Sequence, residues 1–215
     1  MLVEEIMKSE VITLKADASI ETALKLLQEN HIRHIPIIDD EHQVIGIVSD
    51  RDVRDACPSI FDGDTNPDEL QHPIESIMTS PVITVHPLDF VEEVASIFYE
   101  HEIASVPVTT NDKLVGILTE KDMLYTLIQL TGTHVQSSQI EVKVINKPGI
   151  LPKVTQVFGK RKVNISSVLI YPYKPDEAYK IIVVRLQTMN PLPIIEDLKA
   201  EGYEVLWPQM PGMTP

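Results

Sequence analysis

The first half of this 215-residue chain contains a displaced copy of itself, and no other feature of the sequence limits the fold as strongly. A shift of 71 residues places Ile6-Met7 on Ile77-Met78, Ser9 on Ser80, and Val11-Ile12-Thr13 on Val82-Ile83-Thr84. Glu21, Glu29, Ile32 and Pro36 fall on Glu92, Glu100, Ile103 and Pro107, giving 10 identities over the 31 positions from Ile6 to Pro36. Background composition would give about two. One deletion later the shift is 70, and Gly46-Ile47, Ser49 and Asp52 meet Gly116-Ile117, Thr119 and Asp122. A repeated supersecondary unit of this size has too little core to be comfortable alone. The two copies are therefore expected to pack sheet against sheet, with pseudo-twofold symmetry.

Each copy reads in the same order. A β-rich stretch (residues 11–14; 82–85) leads into an amphipathic helix. Its apolar stripe is Ile20, Ala23, Leu24 and Leu27 in the first copy and Val91, Val94, Ala95 and Phe98 in the second. Asp89 with Glu92 has the spacing of a capping box, and Asp17 or Ser19 fits the same place in the first copy. Two apolar runs follow, 35–38 with 44–48 and 106–109 with 114–118, each pair around a polar turn, as strands of a buried sheet require. A second helix begins after Ser49 or Thr119. Residues 58–73, with Asp62-Gly63-Asp64-Thr65-Asn66-Pro67, read as a linker between the copies.

Beyond residue 133 the pattern changes. Residues 135–138 form a linker, and Ile140, Val142 and Val144 then alternate along a strand. Asn146-Lys147-Pro148-Gly149 is a turn. Ile150, Leu151, Val154, Val157 and Phe158 make one helical stripe. Val163, Ile165, Ser167, Leu169 and Tyr171 fall on one side of a second strand, a hairpin loop follows at 173–177, and 179–188 is a third strand. Asn190-Pro191 starts a helix that buries Leu192, Ile195 and Leu198 and stops at Gly202; 203–207 is the last strand. The order βαββαβ is ferredoxin-like. The fold class is mixed α/β (α+β), with expected domains at 1–62, 63–133 (linker and second copy) and 139–210.

Eighteen basic against thirty-two acidic residues leave a net charge of −14, which argues against a nucleic-acid binder; Lys160-Arg161-Lys162 is the one basic cluster. No apolar stretch reaches membrane-spanning length, and the N-terminus lacks the pattern of a signal peptide. The single Cys57 leaves no internal disulfide framework or CxxC metal site. The expected location is the cytoplasm.

The pattern Met7…Thr13…His34-Ile35-Pro36…Gly46-Ile47-Val48-Ser49-Asp50-Arg51-Asp52 resembles a CBS motif. Met78…Thr84…Ser105-Val106-Pro107…Gly116-Ile117-Leu118-Thr119-Glu120-Lys121-Asp122 is its partner, and the pair looks like a Bateman module. That resemblance implies regulatory binding of adenosine-containing ligands in clefts between the motifs. Asn146-Lys147-Pro148-Gly149-Ile150-Leu151 with Val163-Asn164-Ile165 resembles the ACT domain, which implies amino-acid binding at a dimer interface through this first turn. An acidic residue usually opens that turn; here it is the neutral Asn146. The order of modules, with His31-Ile32-Arg33-His34, the residues 86–93 and Thr188-Met189-Asn190-Pro191-Leu192-Pro193, looks like the acetoin utilization protein family of Bacillus-type bacteria. The resemblance implies a regulator of acetoin and acetate carbon metabolism.

Within the matched pair, Asp52 and Asp122 are candidates to accept the ribose hydroxyls of a nucleoside. Ser49 and Thr119, at helix starts, would face a phosphate with Arg51 and Lys121 as countercharge. Plain helix capping explains the same Ser/Thr-x-x-Asp spacing. His34-Ile35-Pro36 and Ser105-Val106-Pro107 would flank an adenine, with Thr13 and Thr84 nearby; an ordinary strand start explains them equally. The first copy is the more basic, which would favour a more phosphorylated ligand there. His31 and His34 have HxxH spacing without a third metal ligand in sequence, so no metal is expected. No catalytic motif is present, and the chain reads as a non-enzyme needing no cofactor. The expected ligand is AMP, ADP, ATP or another adenosyl compound, and the expected assembly is a homodimer acting on a separate protein of acetoin and acetyl-CoA metabolism. The alternative is an amino-acid sensor using Asn146, Pro148, Gly149, Ile150, Leu151 and Asn164, with the repeat pair as dimerisation scaffold.

Overall fold

The structure, a computed structural model, describes residues 1–57 and 70–208. The turn-rich run 62–67 and the expected domain limits at 62, 63 and 210 lie outside the described residues. The chain forms two compact units, Met1–Leu124 and Tyr125–Pro215, divided within a helix.

In the first unit, each copy contributes a helix, a two-stranded antiparallel sheet and a second helix. The first copy has α1 (Ile20–Glu29), β1 (His34–Ile38), β2 (Val44–Ser49) and α2 (Asp50–Asp55). The second has α3 (Val91–His101), β3 (Ser105–Thr110), β4 (Lys113–Thr119) and α4 (Glu120–Thr131). Ser19 caps α1, its Oγ accepting the Thr22 N–H at 3.2 Å. The expected capping box of α3 does not form. The Asp89 carboxylate turns back to accept the His86 N–H at 2.7 Å, and Phe90 takes the cap position without a side-chain bond. Ala95 is exposed; Ile97 packs against the core beside Val94 and Phe98 instead. The turn between β3 and β4 places both Asn111 and Asp112 at positive φ (51° and 64°), the geometry that matches strand twist in a two-residue hairpin.

The β-rich stretches 11–14 and 82–85 are not strands of a ladder. Each makes one parallel bridge, Leu14 to Ile37 and Val85 to Val108. The Leu14 N–H donates to the Pro36 carbonyl at 3.2 Å, and the Ile38 N–H donates to the Leu14 carbonyl at 2.9 Å. The next bond toward the N-terminus would need an N–H on Pro36, which proline lacks. Pro107 stops the second stretch in the same way.

The copies exchange their leading segments. Val3, in a 3-10 turn at Val3–Glu5, is fully buried in the core of the second copy, and Ile74, in the matching turn Ile74–Ser76, is fully buried in that of the first. Lys8 bridges Ile117 and Thr79 bridges Ile47. Gln43 bridges Lys113, its own counterpart at the 70-residue shift, which puts the pseudo-twofold axis between them. The repeat glycines sit where these segments cross. A Cβ at Gly116 would lie 2.7 Å from the Met7 sulfur, and one at Gly46 would collide with the Met78 sulfur.

The second unit has β5 (Ser138–Ile145), α5 (Ile150–Lys160), β6 (Ile165–Pro172), β7 (Tyr179–Leu186), α6 (Leu192–Ala200) and β8 (Glu204–Trp207). The antiparallel sheet runs β6-β7-β5-β8, the ferredoxin-like order, with both helices on one face. Ile140, Val142, Val144, Ile182, Val184 and Leu186 meet Val154, Phe158, Ile195 and Leu198 in its core. Two sequence expectations change here. Leu192 is half-exposed and Ile194 is buried in its place. A bulge between Ile165 and Ser167 flips β6, so Val163 faces the helices while Ser167, Leu169 and Tyr171 pair with Arg185, Val183 and Ile181 on the open face. Gly202, at φ +84°, ends α6: the Tyr203 N–H reaches the Leu198 carbonyl at 2.9 Å and its own N–H reaches that of Lys199 at 3.0 Å.

Candidate functional site

The second helix of each copy opens on a closed ring of hydrogen bonds. Asp52 Oδ2 accepts from the Ser49 N–H at 2.8 Å and the Ser49 hydroxyl at 2.7 Å, while the Asp52 N–H returns to Ser49 Oγ at 3.2 Å. In the second copy Asp122 Oδ2 accepts from the Thr119 N–H at 3.0 Å and from the Thr119 hydroxyl, and the Asp122 N–H points to Thr119 Oγ1 at 3.4 Å. Capping therefore uses one carboxylate oxygen of each aspartate. The second oxygen distinguishes the copies. Asp122 Oδ1 holds the Lys8 ammonium at 3.2 Å, and the position matching Lys8 is Thr79, which carries no charge.

A cleft of about 600 Å³ opens beside Thr119. Its walls come from both copies: Lys8, Glu10, Val11, Ile12 and His31 to His34 from the first, Ala104, Ile117, Thr119, Glu120, Lys121 and Leu124 from the second. The basic residues Arg33 and His34 of the first copy thus line the cleft at the second copy's helix start, a cleft between the two motifs. The chain turns sharply at His31, in the left-handed region at φ +52°, and Glu102 repeats this at the same angle. Arg33 and Ala104 give their carbonyls to the Asp50 and Glu120 N–H groups at 2.8 and 3.0 Å, which ties each turn to the start of its copy's second helix. Burial lowers the pKa of His34, opposed in part by Asp50 and Asp52.

Of the sequence-level candidates, His34, Thr119 and Lys121 line this cleft, and Asp122 borders it through Lys8. Ser49, Arg51 and Asp52 gather at the start of α2. Ile35 and Val106 are fully buried core residues, and Pro36 and Pro107 are buried with carbonyls taken by Leu14 and Val85. None of those four is among the residues lining this cleft. Thr13 is half-buried, Thr84 is exposed, and Ser105 is buried with an unpartnered hydroxyl. Lys8, Glu10 and Glu120 are cleft residues that spacing did not single out. The one signal for Lys8 was its mismatch with Thr79 across the repeat. Among the described residues no group of three or more His, Cys, Asp and Glu is placed to hold a metal ion, and no helix is long and apolar enough to cross a membrane.

In the second unit Asn146, Pro148 and Gly149 form an exposed turn, with Gly149 at φ +77° and open space where a Cβ would stand. Ile150 and Leu151 pack partly against the core, and the Asn164 carbonyl accepts the Gln187 N–H at 2.9 Å.

The CBS domain model matches residues 3–59 and 74–129, and the ACT domain model matches 138–202. This chain is a CBS-domain protein with an ACT domain. Both module types are regulatory. A CBS domain-containing protein of Dictyostelium discoideum is 31% identical over 135 residues, 60% of this chain and 93% of that one. Other curated relatives are longer, and the chain spans between 22% and 59% of their length. Among solved structures, the CBS pair of protein MJ0100, in complex with 5′-methylthioadenosine and S-adenosyl-L-methionine, is 31% identical at TM-score 0.51 over 59% of this chain and 95% of that one. The putative acetoin utilization protein AcuB of Vibrio cholerae is 29% identical at TM-score 0.54, covering 63% and 98%. CBSX2 in complex with AMP is 25% identical at TM-score 0.51, covering 60% and 96%.

Proposed function

We propose that this CBS-domain protein is a non-catalytic regulator of acetoin and acetate carbon metabolism, switched by an adenosyl ligand bound in its CBS pair. The observation that carries the reading is the two-copy cleft, where Lys8, Arg33, His34 and Lys121 converge on a chain of net charge −14. The ligand is AMP, ADP, ATP or another adenosyl compound. Its ribose hydroxyls go to the aspartate at the helix start, and its charged end goes to the cations and to the N–H groups of that helix. Thr13, Ser49, Arg51 and Asp52, with Thr84 and Ser105, belong to the same reading for a second, unequal site. The bound AMP, S-adenosyl-L-methionine and methylthioadenosine of the similar structures support the ligand class, and the likeness to the Vibrio cholerae protein supports the pathway. The reading includes a cytoplasmic homodimer, a separate target protein in acetyl-CoA metabolism, and no nucleic-acid or membrane partner. Occupancy acts by favouring one of two states for which the ligand has different affinity.

Calorimetry on the whole chain with AMP, ADP, ATP, S-adenosylmethionine, methylthioadenosine and NAD tests it. The expected result is saturable binding of at least one adenosyl compound, lost in Asp122→Ala or Asp52→Ala. No binding by any of them overturns the reading. The open approach at Gly149 favours a second one, in which the ACT turn senses an amino acid and the CBS pair is its scaffold. Amino-acid binding abolished by Gly149→Val, with all nucleotides silent, is its signature.

A further inference from the structure

The open face of the C-terminal sheet carries a charged group that neither reading uses. We propose that this face holds a separate binding site for a small monocarboxylate with an apolar tail. A groove of about 390 Å³ lies there, near the lower end of the range for small-molecule sites. Leu127, Ile128, Leu169 and Val183 make its walls apolar. Arg185 and Glu141 supply its charges.

Arg185 is half-buried and holds two neutral partners. Its Nη2 donates to Gln139 Oε1 at 2.7 Å and its Nη1 to Ser137 Oγ at 3.4 Å. Among the described residues no carboxylate pairs with it, whereas Arg161 in the same unit takes both oxygens of Asp197 at 2.6 and 2.8 Å. A half-buried guanidinium whose hydrogen-bond partners are both neutral has its nearest carboxylate, Glu141, only through Gln139, and a carboxylate gripped directly by two N–H groups is a better partner.

The surroundings hold Arg185 in place. Gln139 donates to Glu141 Oε1 at 2.8 Å, which fixes its carbonyl oxygen toward the guanidinium. Gly132, at φ +67°, brings the backbone over the arginine stem, so that a Cβ there would stand 3.5 Å from Arg185 Cδ and 3.3 Å from Ser166 Cβ. The β6 bulge puts Ser167 and Leu169 on this face, opposite Arg185 and Val183. The carboxylate of Glu141 repels a second negative charge and accepts a donor. The ligand is therefore a monoanion, and a hydroxyl or ammonium on the carbon beside its carboxylate strengthens binding. The groove sits at the opposite end of β5 from the Asn146 turn.

The test uses the whole chain with isobutyrate, 2-hydroxyisovalerate, valine and succinate as probes. Calorimetry reads affinity, and NMR of the wild-type arginine Nε–H resonances reads contact with Arg185 without any substitution. The expected result is saturable binding of one or more monocarboxylates with a shift of the Arg185 resonance. Affinity drops at least tenfold in Arg185→Gln, is only partly kept in Arg185→Lys because an ammonium cannot grip both oxygens in the same fork, and is at least tenfold weaker for succinate. No saturable response to any monocarboxylate, binding unchanged by Arg185→Gln, or succinate binding as tightly as the monocarboxylates overturns the proposal.

Discussion

At the scale of single residues, the repeat glycines show how a position can be conspicuous in sequence while its reason is hidden. The shift of 70 pairs Gly46 with Gly116, but the physical partner of each is a methionine from the other copy. Gly46→Ala and Gly116→Ala are expected to lower stability by about 1–3 kcal/mol each, as overpacking does, measured by urea denaturation. Adding Met78→Ala to Gly46→Ala recovers part of the loss. The helix-start aspartates were legible from spacing; Lys8 was not, because ion pairing across copies leaves no periodic trace. His34 supplies a pH signature. Burial holds its folded pKa below the ordinary imidazole value of 6.5, so the unfolded chain binds the proton more readily. Its contribution is fully present above pH 6.5 and is lost as the pH falls below that value. Replacing His34 with Gln is expected to flatten the fall in stability on the acid side of that value, read as Tm against pH.

Whole elements were read well where one periodic stripe met one core, and poorly where the backbone changed face. The helical stripes of α1 and α5 are visible as i, i+3, i+4 patterns and are the buried sides. In β6 the alternation of Val163, Ile165, Ser167, Leu169 and Tyr171 continues unbroken in sequence, and only the bulge separates its ends onto opposite faces. The missing ladder at residues 11–14 follows from the absent N–H of Pro36. The exchanged leading segments make a directional prediction. Val3→Ala is expected to weaken hydrogen-exchange protection first in β3 and β4, and Ile74→Ala, costing about 2–5 kcal/mol, first in β1 and β2. The opposite pattern would mean that each segment supports its own copy.

Across the whole molecule, the sequence divided the chain by its change of period near residue 135, while the compact units part at Leu124. The helical pattern of α4 runs through that point, so no composition break marks it. The first unit holds two core clusters, one per copy, and the second unit holds its own, so a ligand bound in the CBS cleft would bear directly on the first unit. An adenosyl compound at 100 times its Kd is expected to add about 2.7 kcal/mol to that unit, and scanning calorimetry should move its transition while leaving the ACT transition in place. The reciprocal seating of Val3 and Ile74 also bears on ancestry. A single repeat on its own would carry both an empty socket and the peg that fits it, so its simplest complete form is a pair of identical chains. Tethering two such chains replaces a concentration-dependent encounter with an effective concentration in the millimolar range. Once tethered, either half is free to drift, and a charge such as Lys8 can arise opposite one aspartate without arising opposite its twin.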